Sequence, residues 1–92
     1  MAYALYHNYP NPFNPTTVIS YKLSALSNVT LKIYDVPGRE VAALVNGQQN
    51  PGVYKVNLDG ARFASGVYFY RIVAIGNDGH KFVAIKKLML IK

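Results

Sequence analysis

The side chains able to do chemistry are few in this chain of 92 residues. Its carboxylates are Asp35, Glu40, Asp59 and Asp78, and general acid–base work would need two of them converging in a cleft. Asp35, Asp59 and Asp78 sit in or beside predicted turns, where Asp is favoured for its side-chain bonds to local backbone. The imidazoles of His7 and His80 have no partner at a ligand spacing such as His-x-x-x-His, and each neighbours Asn or Gly in a predicted loop. Cysteine is absent, which excludes a disulfide framework, a thiolate zinc site and a cysteine nucleophile. Asn77-Asp78-Gly79 offers calcium-like oxygens but too few carboxylates for a loop site, and no nucleophile elbow, phosphate loop or dinucleotide fingerprint occurs. The residues point away from catalysis and imply neither cofactor nor metal.

Binding chemistry is the remaining class. Eight Tyr and four Phe raise the prospect of a stacking platform for sugars or bases. Most fall at inward strand positions; Tyr34 and Phe69 point outward by alternation and are the candidates for a carbohydrate surface. The formal charge of +6 favours anionic partners in a nonspecific way. Of the ten cations, Lys81, Lys86, Lys87 and Lys92 cluster near the end and the rest are scattered, the pattern of a solvated strand face rather than a nucleic-acid interface.

Composition sets what must hold these side chains. With 51% apolar and 15% charged residues the chain is too apolar for a disordered tail. Its longest uncharged run, Met1 to Tyr21, contains Pro10, Pro12 and Pro15 and cannot cross a bilayer as a helix. The start lacks the basic and long apolar regions of a secretory signal, so the chain reads as a fragment of a longer protein. Size scaling gives one thin core under about 5,300 Å² of folded surface.

Period-two alternation dominates. Thr17 to Ser24 places Ile19, Tyr21 and Leu23 on one face, and Asn28 to Asp35 repeats this with Val29, Leu31 and Ile33. The short Ala25-Leu26-Ser27 link suits an antiparallel pair. Val36-Pro37-Gly38-Arg39 reads as a type II turn with Gly38 at positive φ. Glu40 to Val45 fits one short helical turn or a strand by pattern, its length favouring a strand, and is followed by turns at Asn46-Gly47 and Pro51-Gly52 around an exposed Gln48-Gln49-Asn50 loop. Val53 to Asp59 turns Tyr54, Val56 and Leu58 inward, and Phe63 pins the connection that follows. Gly66 to Ile75 reads as a central strand covered on both faces, with Tyr68 as a tyrosine corner. A hairpin at Gly76-Asn77-Asp78-Gly79 leads into a long last strand, Lys81 to Ile91. These elements predict an all-β, Ig-like or fibronectin III-like antiparallel β-sandwich of about seven strands. Residues 1–16 form an extended Pro/Asn-rich lead-in and 17–92 the single sandwich domain.

In that lead-in, prolines fix φ and push Tyr9, Asn11 and Asn14 into extended conformations, while Phe13 offers an apolar anchor. The string Tyr9-Pro10-Asn11-Pro12-Phe13-Asn14-Pro15-Thr16-Thr17 also resembles the start of the type A C-terminal sorting domain of the bacterial type IX secretion system. The resemblance continues through Val29 to Asp35, Gly38-Arg39-Glu40-Val41, Ala64 to Ile72 and Lys86 to Lys92, covering almost all of Tyr9 to Lys92 in order. The Ig-like domain of flagellar hook-capping proteins shares much of the pattern. Pro37, where the family more usually has an aliphatic residue, and a long Gly76 to His80 hairpin depart from it.

The resemblance implies a noncatalytic address label on an attached upstream cargo, carried from the periplasm through the outer-membrane translocon to the cell surface or medium. A sortase-like peptidase then removes it, cutting at or before the Met1 to His7 stretch, and couples the cargo to surface lipopolysaccharide. By motif, Tyr9, Pro10, Asn11, Pro12, Phe13, Gly38, Gly66 and Tyr68 would be structural. Lys86, Lys87, Leu88, Met89, Leu90, Ile91 and Lys92 would be read by the translocon. On an outer strand, Lys86 and Lys87 also protect the edge, and edge strands offer a route to weak homodimers. The alternative from another class is an extracellular Ig-like spacer or carbohydrate-binding module attached to a secreted enzyme.

Overall fold

The computed structural model describes residues 2–92, and Met1, the first residue of the expected lead-in, lies outside them. They form seven strands: β1 (Ala4–Leu5), β2 (Thr16–Leu23), β3 (Ser27–Asp35), β4 (Glu40–Gln49), β5 (Gly52–Asp59), β6 (Gly66–Gly76) and β7 (Lys81–Leu90). A three-stranded sheet, β1-β2-β5, faces a four-stranded sheet, β4-β3-β6-β7, and every strand pairing is antiparallel. This is the all-β sandwich that the alternation implies, with a surface of 5352 Å².

The core follows the alternation. Ile19, Tyr21 and Leu23 from β2 meet Val29, Leu31 and Ile33 from β3 and Tyr70, Ile72 and Ala74 from β6, all essentially without solvent contact. Each large apolar side chain contributes about 1.5–3 kcal/mol through removal from water. β5 supplies the thinner wall: Leu58 is buried, while Tyr54 and Val56 are half-buried, Tyr54 stacking on Tyr21 with centroids 5.3 Å apart. The Tyr21 hydroxyl donates to Gln49 Oε1, so burial leaves it partnered.

Several local expectations change in the assembled fold. β2 and β3 do not pair; they lie in different sheets and face each other across the core, because each carries a fully apolar inner face. Asn46-Gly47 is not a turn, and Gln48-Gln49 is not a loop: β4 runs on to Gln49, with Gly47 opposite Val29 and Gln49 opposite Ser27. Pairing along β3 outweighs the local turn chemistry, at the cost of two bulges that leave Leu44 and Val41 without opposite residues. β6 is central but not covered on both faces, since Arg71 and Ile75 are exposed on its outer side. The turn after β3 starts one residue earlier than read, at Asp35, with the Gly38 amide donating to the Asp35 carbonyl and the Asp35 amide to the Arg39 carbonyl. This is a three-residue hairpin loop, Val36-Pro37-Gly38, with Gly38 at φ 96°.

The stretch read as an extended lead-in is woven into the sandwich. Ala4 and Leu5 pair with Lys22 and Tyr21, the Tyr6 amide donates to the Ser20 carbonyl, and Tyr9 exchanges both backbone bonds with Val18. The N-terminal segment thus lines the outer edge of β2 along most of its length.

Candidate functional site: the last strand and the segment across it

Beyond Tyr9 the chain leaves β2 and crosses to the other sheet, where it closes the end of β7. Phe13 is 2% exposed and lies beside Leu90 in a parallel bridge. Its amide donates to the Met89 carbonyl at 3.0 Å, and its carbonyl accepts from the Ile91 amide at 2.9 Å. One step earlier the Asn11 side chain imitates a peptide unit: Oδ1 accepts from the Met89 amide at 3.0 Å and Nδ2 donates to the Lys87 carbonyl at 3.4 Å. Pro10, Pro12 and Pro15 contribute no donors of their own, which suits a segment whose donated bonds to the sandwich come from Tyr9, Asn11 and Phe13. The Pro10 carbonyl accepts from the buried Thr17 hydroxyl at 2.8 Å and from Asn8 Nδ2 at 3.2 Å, and Asn8 Nδ2 also donates to Thr17 Oγ1.

The residues from Lys86 to Lys92 are not one surface. Leu88 and Leu90 point inward and are buried, and Lys86 shares their side of the strand and is half-buried. Lys87, Met89 and Ile91 point outward and are exposed. Lys92 is tied back at both ends of its residue, the amide donating to Ser65 Oγ at 3.1 Å and Nζ to the Ala61 carbonyl at 2.6 Å. The folded strand therefore presents alternate side chains, while the backbone edge at Lys87, Met89 and Ile91 is occupied by Asn11 and Phe13.

The remaining motif residues frame this arrangement. Gly66 opens β6 opposite Leu90, and the Tyr68 hydroxyl donates to the Ala64 carbonyl at 2.6 Å, the upstream backbone bond expected of a tyrosine corner. Phe63 packs on Tyr68 with centroids 5.4 Å apart and so pins the β5–β6 connection. At the Gly38 loop, partial desolvation pushes the Asp35 carboxyl up, but hydrogen bonds from the Arg39 amide and guanidinium outweigh it and hold Asp35 below the ordinary 3.8. The Gly76–His80 loop repeats the pattern: the His80 ring and amide bond the Asp78 carboxylate and lower it. These carboxylates fasten hairpins.

Tyr34 and Phe69 do come together, opposite one another on β3 and β6, and both are half-buried. Arg71 lies over the Tyr34 ring at 5.2 Å from its centroid, so one face of that ring is already covered. The most exposed ring is Tyr9 at 81%, which alternation could not indicate because it lies outside a named strand. Among the described residues no three His, Cys, Asp or Glu side chains converge, and no helix is long and apolar enough to cross a membrane.

Two participants carry little sequence signal. Gly60 seats the crossing segment: its amide donates to the Pro15 carbonyl at 2.8 Å, and a Cβ there would meet Leu90 at 3.1 Å, Phe13 at 3.2 Å and the Pro15 carbonyl at 3.2 Å. Tyr70, fully buried in β6, donates its hydroxyl to the Tyr6 carbonyl at 2.7 Å, and burial pushes its pKa up to about 12. Both tie the N-terminal segment to the distant end of the chain, a relation that local patterning does not encode.

Comparison with known proteins agrees with this architecture. CopC from Methylosinus trichosporium OB3b has the same overall fold, with a TM-score of 0.65 and 18% identity over 97% of this chain and 93% of that one. None of the curated proteins matches the chain. The model of the secretion system C-terminal sorting domain matches residues 7–90, from just before the crossing segment to the end of β7. The chain therefore belongs to the C-terminal sorting domain family of the type IX secretion system.

Proposed function

We propose that this domain directs an attached secreted protein across the outer membrane through the type IX translocon, and that it does so as a folded recognition unit rather than as a catalyst. The observation carrying this reading is the family match over residues 7–90, which takes in both sheets and the segment that closes β7. Membership makes the protein to which the domain belongs an exported one. Its route runs through the periplasm to the cell surface or medium, with the translocon reading the outward side chains Lys87, Met89 and Ile91 beside the basic Lys86 and Lys92. A sortase-like peptidase then cuts upstream of the sandwich and couples the cargo to surface lipopolysaccharide.

The test fuses residues 3–92 behind a periplasmic fluorescent reporter, in a bacterium with an active type IX system and in a translocon-deficient strain. Reporter at the surface or in the medium only in the active strain is the expected result. Retention of an intact, folded fusion in both strains would overturn the reading and turn attention to the Tyr34–Phe69 surface as a glycan contact.

A further inference from the structure

The two halves of β7 differ in what their outer edge can still bind. Backbone groups alternate in direction along a strand, and the Met89 amide and carbonyl both point away from β6, toward Asn11 and Phe13. The β6–β7 register runs without interruption from Gly66↔Leu90 to Ile75↔Lys81, so the amides and carbonyls of Lys81, Val83 and Ile85 point the same way. They have no hydrogen-bond partner among the described residues, nor has the Lys87 amide, whereas the edge from the Lys87 carbonyl to Ile91 is closed.

The side chains on this stretch are those of an unguarded edge. Val83 and Ile85 are 49% and 59% exposed, next to Val73 and Arg71 on the outer face of β6. The other edges are defended. β4 carries two bulges, β2 is lined by residues 4–9, and β5 turns Lys55, Asn57 and Asp59 outward beside Val53. On β7 the apolar pair lies between Lys81 and Lys87. The carboxylates of this sheet and its hairpins are already paired, Asp35 with Arg39, Glu40 with Lys32 and Asp78 with His80.

These lysines decide the occupant. If two copies paired antiparallel along the whole free stretch, Lys81 of one would stand opposite Lys87 of the other, and like charges directly opposite are destabilising. A strand with carboxylates at those two positions and apolar side chains at the two alternate positions between them would match charge, apolarity and backbone together. We infer that Lys81–Lys87 is a docking edge for an extended strand of a partner protein, with acidic residues facing Lys81 and Lys87 and apolar residues facing Val83 and Ile85. This deepens the sorting reading and rests on it for the partner's place in export; the edge itself is read from the sandwich alone.

The probe is the peptide ETVTVTE, blocked at both ends and titrated into the labelled domain at low salt, with KTVTVTK as its counterpart. Expected are slowed exchange of the Val83 and Ile85 amides and binding at least tenfold weaker for KTVTVTK. Val83→Pro removes an edge-facing donor without touching a β6–β7 bond, and should abolish binding while the domain stays folded. Lys81→Glu with Lys87→Glu should reverse the peptide preference, whatever Val83→Pro does to folding. Equal affinity for both peptides, or protection at the β4 or β5 edge instead, overturns the inference. In the reporter assay a folded Val83→Pro fusion should stay in the periplasm. Its export at the parent level defeats the docking edge and leaves the sorting role standing, whereas failure of the parent fusion itself defeats the sorting role.

Discussion

The flank of the sandwich formed by β2 and β7 and the flank formed by β4 and β5 solve the same problem in opposite ways. β4 and β5 follow each other through a short Asn50-Pro51 connection, and their edges are guarded locally, by bulges on one and polar side chains on the other. β2 and β7 are far apart in sequence, and the edge of β2 and the last residues of β7 are guarded by a third segment that pairs with both. Local guarding is built into each strand, whereas a separate cover can be weakened without redesigning the strands beneath it. The second flank is therefore where substitutions should have graded effects on edge exposure.

The largest break in this comparison should come from Phe13→Ala. Removing a 2% exposed ring from between Leu90 and Gly60 costs about 3–5 kcal/mol by the usual large-to-small range. A domain of this size has roughly 5–14 kcal/mol in total, so denaturant titration should show a transition shifted far toward low denaturant. On the other flank β4 contributes only half-buried side chains to the core, and Leu58 of β5 is the one residue as buried as Phe13.

Alkaline titration should sharpen the contrast next. Tyr70 holds its proton in the folded state up to about 12 against an ordinary 10.0, because burial disfavours the phenolate. A raised folded pKa means that the stabilisation is complete below pH 10, falls as pH rises and is gone above about 12. The loss is on the order of 2–3 kcal/mol. Melting followed between pH 9 and 12 should show it, and Tyr70→Phe should make that part of the profile shallower, leaving the share of Tyr21, whose hydroxyl burial also pushes up.

The smallest effect belongs to Asn11→Ala. Two exposed hydrogen bonds to β7 would go, with about 0.5–1.5 kcal/mol for the better one, since the groups left behind can reach water. Hydrogen exchange should accelerate at the Met89 amide while β4 amides are unchanged. Equal acceleration on both flanks would mean that the cover is not a separate unit.

Sequence patterning reveals what is local. Inward positions in β2, β3 and β5 follow from period two, Tyr68 declares its corner bond, and the glycines at Gly38 and Gly79 mark their hairpins. It fails where a distant partner decides. Asn46-Gly47 has the chemistry of a turn, but the ladder along β3 absorbs it; the link between β2 and β3 is short enough for a hairpin, but two apolar faces send it across the core. The candidate site is read least completely. Lys86 to Lys92 appear as one run in sequence, and only folding separates the buried Leu88 and Leu90 from the outward Lys87, Met89 and Ile91. Phe13 shows in sequence only as an apolar anchor, and its pairing, with that of Asn11, to the end of β7 has no local signature.

That closure also has a meaning in time. Asn11 and Met89 are 78 positions apart, and contacts of such separation form late because nearly the whole chain must be gathered before they can be made. A growing or threaded chain displays Tyr9 to Pro15 long before Leu88 to Ile91 are free to meet it. The pairing thus reports completion: whatever recognises the closed edge sees only domains whose distal residues have emerged and folded.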